Sequence, residues 1–391
     1  MKRSERWAWM GGELDRLHEM NQLRSLRDAH PLADPPGWIE LDGRRLLNLS
    51  SNHYLGLPLY ELPEARESLA TGATASRLVT GNDPVYSMLE RDFAVFKHTE
   101  ASLVFGSGYA ANVGAISALV GRDDVVFSDK LNHASIVDGI VLSRAEHVRY
   151  RNRDMDHLER MLKQSKSRGR KLIVTDAVFS MDGSLALLRE LVELKERYGA
   201  MLMIDEAHSG GVFGPQGEGL AHAQGVADRI DIQMGTFSKA YGAYGGYIAG
   251  DQTLIDYLVN HSRSLIYTTA LPPIVVAAIH HNWQLAMRES WRRTVLLERS
   301  GWFRSALQEH GFNTGDSECQ IVPLIVGGNE MTVRFSERLR ESGIAAVAIR
   351  PPTVPEGKAR IRFSLMATHR MDDLHQAVDT IADVGKELGI I

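Results

Sequence analysis

MLMIDEAH, Met201 to His208, is an apolar run of strand length closed by an acid. A run without polar alternation suits a strand buried on both faces, which is how parallel strands are usually placed. Asp205 then falls at the carboxyl end of that strand, the edge at which open α/β sheets bind ligands. Working outward, the same kind of run recurs as SLVF (102–105), VVFS (125–128), HVRY (147–150), KLIVTD (171–176), IDIQMGT (230–236) and GGYIAG (245–250), with helical patterns between them. This alternation predicts βαβ units and an α/β fold with a mostly parallel, doubly wound, seven-stranded sheet.

The flanks read differently. Up to about Gly37, Leu14, Leu17, Met20 or Asn21, and Leu23 follow helical spacing before the breaker DPPG, which predicts an amphipathic arm that packs on something else. WIELDGRRLLNLSS (38–51) predicts a hairpin turning at Asp42-Gly43. Beyond YTTALPP (267–273), one long helical pattern from Ile274 to Gly311 leads into short strand-like runs and a final helix from Met371 to Leu388. The expected division is an arm and hairpin over 1–47, a large α/β domain over 48–285, and a small C-terminal α+β domain over 286–391.

Composition narrows the function. The chain has 391 residues, 24% of them charged, and a net charge of −5 with both signs interspersed. No basic stripe points to nucleic acid and no polybasic run to a membrane surface, so a small molecule is the expected partner. The early basic pair Lys2 and Arg3 is not followed by the apolar core of a signal peptide. Cys319 is the only cysteine, which excludes an intrachain disulfide and fits a reducing, cytoplasmic setting. The histidines His133, His208, His222, His280 and His281 match no zinc spacing, and no metal is expected.

The chemistry gathers near TFSKAYGAYGG (236–246), where Lys239 stands among hydroxyls and glycines after a buried strand. A lysine so placed is a candidate to trap a carbonyl compound as a Schiff base, pyridoxal phosphate among them. Asp205 at a neighbouring strand end would keep such a ring protonated, and His208 follows within reach of the same pocket. GSGYAAN (106–112) opens a helix whose backbone N–H groups suit a phosphate. It lacks the third glycine of a dinucleotide loop, having Ala111 there. His133, in the loop after VVFSD, offers a flat ring for stacking. In ARIRF, strand period sets Arg360 and Arg362 on one face, each with a fork suited to a carboxylate.

SSNHYLGL, GATASRLVTGN, GSGYAAN, LNHASIVDGI, VFSMDG, IDEAHSGGVFG, TFSKAYGAYGG, YTTALPP and RPPTVPEGKARIRFSLMATH together resemble the α-oxoamine synthase family of pyridoxal-phosphate enzymes, from about Arg24 to the last helix. The resemblance is strongest to its biotin-pathway branch. It implies a type I pyridoxal-phosphate fold, similar to aspartate aminotransferase, with pyridoxal 5'-phosphate as cofactor. It implies cofactor contacts from Gly108, Tyr109, His133, Ser180, Asp205, His208, Thr236, Ser238 and Lys239, and from Thr268 and Thr269 across a homodimer. Lys239, Asp205 and His133 are the implied catalytic residues; Arg27, Asn52, His133, Thr353 and Arg362 are the implied substrate contacts. His53 stands where the family commonly has aspartate. The implied reaction joins L-alanine to a dicarboxylic acyl-CoA or acyl-carrier-protein thioester. The rivals are a glycine acyltransferase using acetyl-CoA and a non-catalytic cofactor-binding module.

Overall fold

The computed structural model describes residues 5–59 and 69–391, so Lys2 and Arg3 lie outside the described residues. The chain forms two compact units. One comprises Met1–Asn52, Met181–Gly183 and Val295–Ile391, the other His53–Ser180 and Ser184–Thr294.

The first unit begins with a helix, Ala8–Glu19, that has no buried residue. It is shorter than the spacing of Leu14 to Leu23 predicted, because Asn21 takes a left-handed conformation (φ 54°) and the chain leaves helical geometry there. The arm then runs extended into β1 (Ala29–Pro31), which pairs with β2 (Trp38–Leu41). β2 and β3 (Arg44–Asn48) form the predicted hairpin. Asp42 and Gly43 both have positive φ (51° and 74°), the backbone that a two-residue hairpin turn requires.

The second unit holds the seven predicted strands in one sheet: β4 (Ala101–Phe105), β5 (Val125–Asp129), β6 (Glu146–Tyr150), β7 (Lys171–Asp176), β8 (Met201–Asp205), β9 (Ile232–Thr236) and β10 (Gly246–Gly250). Their spatial order is β4-β10-β9-β8-β7-β5-β6. The β5/β6, β5/β7, β7/β8 and β8/β9 pairs are parallel, while β10 runs antiparallel to both β4 and β9. Alternate residues feed two cores. Val126, Val174 and Met203 pack with Ile116 and Ile140 on one face; Phe127, Ile173 and Ile204 pack with Leu158 and Leu191 on the other. Burying each such side chain is worth about 1.5–3 kcal/mol, so a sheet apolar on both faces needs helices on both. The edge strand β6 is the polar one, with Glu146 and Arg149 exposed, which discourages pairing with another chain.

The pairing of β9 with β10 shapes the site. Thr236 and Gly246 are register partners, so the loop carrying Lys239 is clamped at its base. A Cβ on Gly246 would meet Ser107 O at 2.5 Å, so only glycine admits the backbone of the 106–108 turn there.

The first unit resumes at Val295, within the long helical pattern. That pattern is two helices, Pro273–Arg288 and Trp291–Glu309, broken at Glu289 and Ser290. β11 (Ile321–Gly327), β14 (Ala359–Ser364) and β13 (Val347–Ile349) form an antiparallel sheet in the order β11-β14-β13. β12 (Ile344–Ala345) pairs in parallel with β3 and joins the hairpin to the C-terminal part of the chain. Among the described residues, no helix is long and apolar enough to cross a membrane.

Candidate active site

At the carboxyl edge of the large sheet, eight of the predicted residues line one cavity of about 180 Å³: Gly108, Tyr109, His133, Asp205, His208, Thr236, Ser238 and Lys239. They come from three strand ends and one helix start. Lys239 Nζ lies 2.8 Å from His208 Nε2, and the Tyr54 hydroxyl lies 2.6 Å from His208 Nδ1. Asp205, buried at the end of β8, accepts hydrogen bonds from Asn112 Nδ2 (2.7 Å) and from Ala207 N (2.9 Å). Thr236 Oγ1 donates to Gly245 O (2.7 Å) and meets Ser238 Oγ at 2.7 Å, which fixes both hydroxyls beside the lysine loop.

The helix Gly108–Leu119 starts on the cavity wall, capped by Ser107 Oγ, which accepts from Ala110 N at 3.1 Å. A Cβ on Gly108 would lie 3.1 Å from Met234 Cε and 3.3 Å from Thr236 Cβ, so a larger residue would close the wall at the helix N-terminus. The exposed Tyr109 hydroxyl donates to Asp138. His133 caps the helix Ala134–Ser143 and stays accessible from the cavity; the protein packed around its ring holds its pKa below the usual value, against the pull of Asp205.

Four residues of this site were not singled out from sequence: Tyr54, Asn112, Ser135 and Asp176. Asp176 is the register partner of Asp205, and burial together with that neighbouring negative charge pushes its carboxyl well above the usual range. Its place at the end of KLIVTD was a signal of the same kind as that of Asp205 at the end of MLMID. Ser180 is half-buried and is not part of the cavity wall, and Thr268 and Thr269 are exposed and are not part of it either.

The remaining residues belong to the first unit. Arg362 is buried on β14 and donates to Ser364 Oγ (2.8 Å) and to Asn52 Oδ1 (3.1 Å), whereas Arg360 is held by Asp182 at 2.6 Å. Arg27 and Thr353 line a separate groove of about 750 Å³ floored by Ile39, Leu41 and Ile349. Within it Thr353 Oγ1 accepts from Arg24 at 3.2 Å, while Arg27 stands 3.7 Å from Asp42. Arg350 donates to Asn21 O, and burial together with the charge of Arg24 lowers its pKa. No carboxylate among the described residues lies within ion-pair distance of Arg24 or Arg350.

The first cavity fits pyridoxal phosphate: an amine, a buried carboxylate with two donors, and a helix N-terminus kept open by a glycine surround one space. A mostly parallel seven-stranded sheet with that constellation at its carboxyl edge defines a type I pyridoxal-phosphate enzyme. The model of the aminotransferase class I and II family matches residues 44–381. A protein of Bacillus mycoides (strain KBAB4), provisionally named 8-amino-7-oxononanoate synthase, is 52% identical over 385 residues, covering 97% of each chain. Among solved structures, a serine palmitoyltransferase with pyridoxal phosphate is 29% identical, with TM-score 0.92 over all of both chains. The 8-amino-7-oxononanoate synthase of Francisella tularensis is 27% identical, with TM-score 0.75 over 88% of this chain and 98% of that one. The chain belongs to the class I and II aminotransferase family and, within it, to the α-oxoamine synthases, which are pyridoxal-phosphate-dependent acyltransferases.

Proposed function

We propose that this enzyme condenses L-alanine with a pimeloyl thioester, of CoA or of a carrier protein. The products are 8-amino-7-oxononanoate, CO₂ and the free thiol, a step of biotin synthesis in the cytoplasm. The observation that carries the acyl choice is the pair Arg24 and Arg350 beside Thr353 in an apolar-floored groove. An acyl chain ending in a carboxylate needs a cation or donors there, because a buried unpaired charge costs several kcal/mol. A palmitoyl or acetyl group has no such need. The names of the Bacillus mycoides and Francisella tularensis relatives agree with this choice.

Pyridoxal phosphate, when bound, supplies an aldehyde for amines and a ring that takes up the electron pair left at Cα by proton removal or loss of carboxylate. Lys239 Nζ would be the amine that carries it and, once the substrate amine has displaced it, the free base that takes the Cα proton, since it stays tethered in the same cavity. Asp205 holds the proton on the ring nitrogen. His208, held by Tyr54, orients the lysine amine, and with Ser180 it would help hold the cofactor ring. Gly108, Tyr109, Thr236 and Ser238 would hold the phosphate end, His133 would offer its flat face to the ring, and Arg362, oriented by Ser364 and Asn52, would anchor the amino-acid carboxylate, Arg360 being engaged by Asp182. Thr268 and Thr269 serve the phosphate of the second subunit of a homodimer.

The test is a rate matrix of L-alanine, glycine and L-serine against pimeloyl-, acetyl- and palmitoyl-CoA, with products identified by mass. Alanine with pimeloyl-CoA should give the highest kcat/KM by at least about tenfold, or about 1.4 kcal/mol. A best rate with glycine and acetyl-CoA would overturn the reading in favour of an aminoketobutyrate-forming enzyme.

A further inference from the structure

We infer that Asn112 and Ser135 are positioning residues that lock His133 as a neutral imidazole with its proton on Nε2. The inference rests on the pyridoxal-phosphate reading of the cavity only for its catalytic consequence; the hydrogen bonds alone fix the tautomer.

Three donors set the order. Asn112 must turn its amide nitrogen, not its oxygen, toward the Asp205 carboxylate, since two acceptors would repel. Its two hydrogens then go to Asp205 Oδ2 at 2.7 Å and Ser135 Oγ at 2.9 Å. Ser135 Oγ, accepting from Asn112, has one proton left to give, and His133 Nδ1 lies 2.7 Å away. The backbone N–H of Ser135 also points at Nδ1, at 3.3 Å. A backbone amide can only donate, so Nδ1 is the acceptor and the ring proton is on Nε2. Nε2 has no hydrogen-bond partner among the described residues, and His133 lines the cavity, so it presents one N–H to whatever binds there.

A further observation points the same way. Asn112 Oδ1 is buried without a partner. The site tolerates an unsatisfied acceptor, which it would not need if Asn112 served packing alone. The charged and titratable groups that act on the ring are Asp205, Lys239 and Asp138, with Asp176 Oδ1 3.4 Å from the His133 backbone N. Through Asn112 and Ser135 the ring is tied to the anion that serves the cofactor nitrogen. A neutral Nε2–H can donate to an incoming carboxylate or carbonyl oxygen without adding a second full cation beside Lys239.

The test is imidazole ¹⁵N NMR of the full-length protein, with and without pyridoxal phosphate, compared with Ser135→Ala and Asn112→Ala. Wild type should show Nε2 protonated and Nδ1 unprotonated at pH 7.5 in both states. Ser135→Ala should raise the His133 pKa, because one of the two donors that opposed protonation of Nδ1 is gone, while the Ser135 backbone N–H keeps the proton of the neutral ring on Nε2. Asn112→Ala should move it the same way, and Ser135→Thr should restore the wild-type signals. kcat should fall about tenfold in both alanine variants with little change in cofactor affinity. A wild-type ring protonated on Nδ1, or alanine variants with an unchanged His133 pKa, would overturn the inference. Those signals are read on the protein without turnover, so a wrong substrate assignment would not disturb them. Thermal melting separates a folding defect from a change in pKa.

Discussion

The cavity around Lys239 and the groove around Arg24 are built by opposite means. Every wall of the cavity is the end of a strand or the start of a helix in the large sheet, so its side chains are placed by the register of buried strands. The groove takes its charges from an extended arm and from the loop before β14, and its two key cations stand on segments hundreds of residues apart in sequence. A rigid sheet suits a reaction centre whose atoms must keep their places, whereas arm and loop suit a part that sorts substrates. The comparison predicts that changes in the cavity lower kcat and that changes in the groove alter KM according to the acyl chain.

The largest effect belongs to Lys239. Lys239→Ala should lower turnover by at least about a thousandfold through loss of the base, while the protein still binds pyridoxal phosphate non-covalently. Retained turnover within tenfold would remove the lysine from the chemistry.

Next comes an acid sensitivity of the unit that carries the groove. His369 is buried, with Nδ1 accepting from Met366 N (3.1 Å) and Nε2 donating to Asn48 O (3.1 Å), and burial holds its pKa down to about 4. The unfolded chain therefore binds a proton that the folded chain refuses. Its stabilising effect is complete above the ordinary histidine pKa of 6.5 and is lost as pH falls toward 4. The loss should be on the order of 3 kcal/mol, read from urea unfolding at pH 7.5 and 4.5, and His369→Gln should flatten that dependence.

Asp205→Asn should keep the cofactor bound yet lose more than about tenfold in kcat, or about 1.4 kcal/mol, because an amide cannot hold the ring nitrogen protonated. Steady-state kinetics showing a smaller loss would break the claim that the cavity acts on kcat.

The smallest effects sharpen the groove. Arg24→Ala and Arg350→Ala should each raise KM for pimeloyl-CoA roughly tenfold and leave that for an uncharged acyl-CoA of similar length nearly unchanged. Arg27→Ala should change it by less than about threefold, since Asp42 already faces that guanidinium in an exposed pair. Equal losses with charged and uncharged chains would make these arginines general thioester contacts.

The same contrast explains what could be read from the chain. The strands of the large sheet were legible because they are short apolar runs, the polar edge strand β6 excepted, and the cavity residues were legible where they directly follow such a run, as Asp205 follows MLMI. Tyr54 and Asn112 were not singled out because their hydrogen-bond partners are remote: Asn112 is 93 positions from Asp205 and Tyr54 is 154 from His208. No local pattern encodes such pairs. In the arm, helical spacing hid the turn at Asn21, and the chain beyond it presents Arg24, not Arg27, to Thr353. The break at Glu289 and Ser290 was hidden likewise, since periodicity continues across it and neither proline nor glycine marks it.

The central claim is that Lys239 carries pyridoxal phosphate within the cavity bounded by Asp205, His133 and His208. Borohydride reduction of the purified protein followed by peptide mass mapping tests it most directly. The account predicts one pyridoxyl-modified peptide, spanning the 236–246 loop, with the label on Lys239 and absent from Lys239→Ala. A label on another lysine, or a protein that takes up no pyridoxal phosphate, would contradict it.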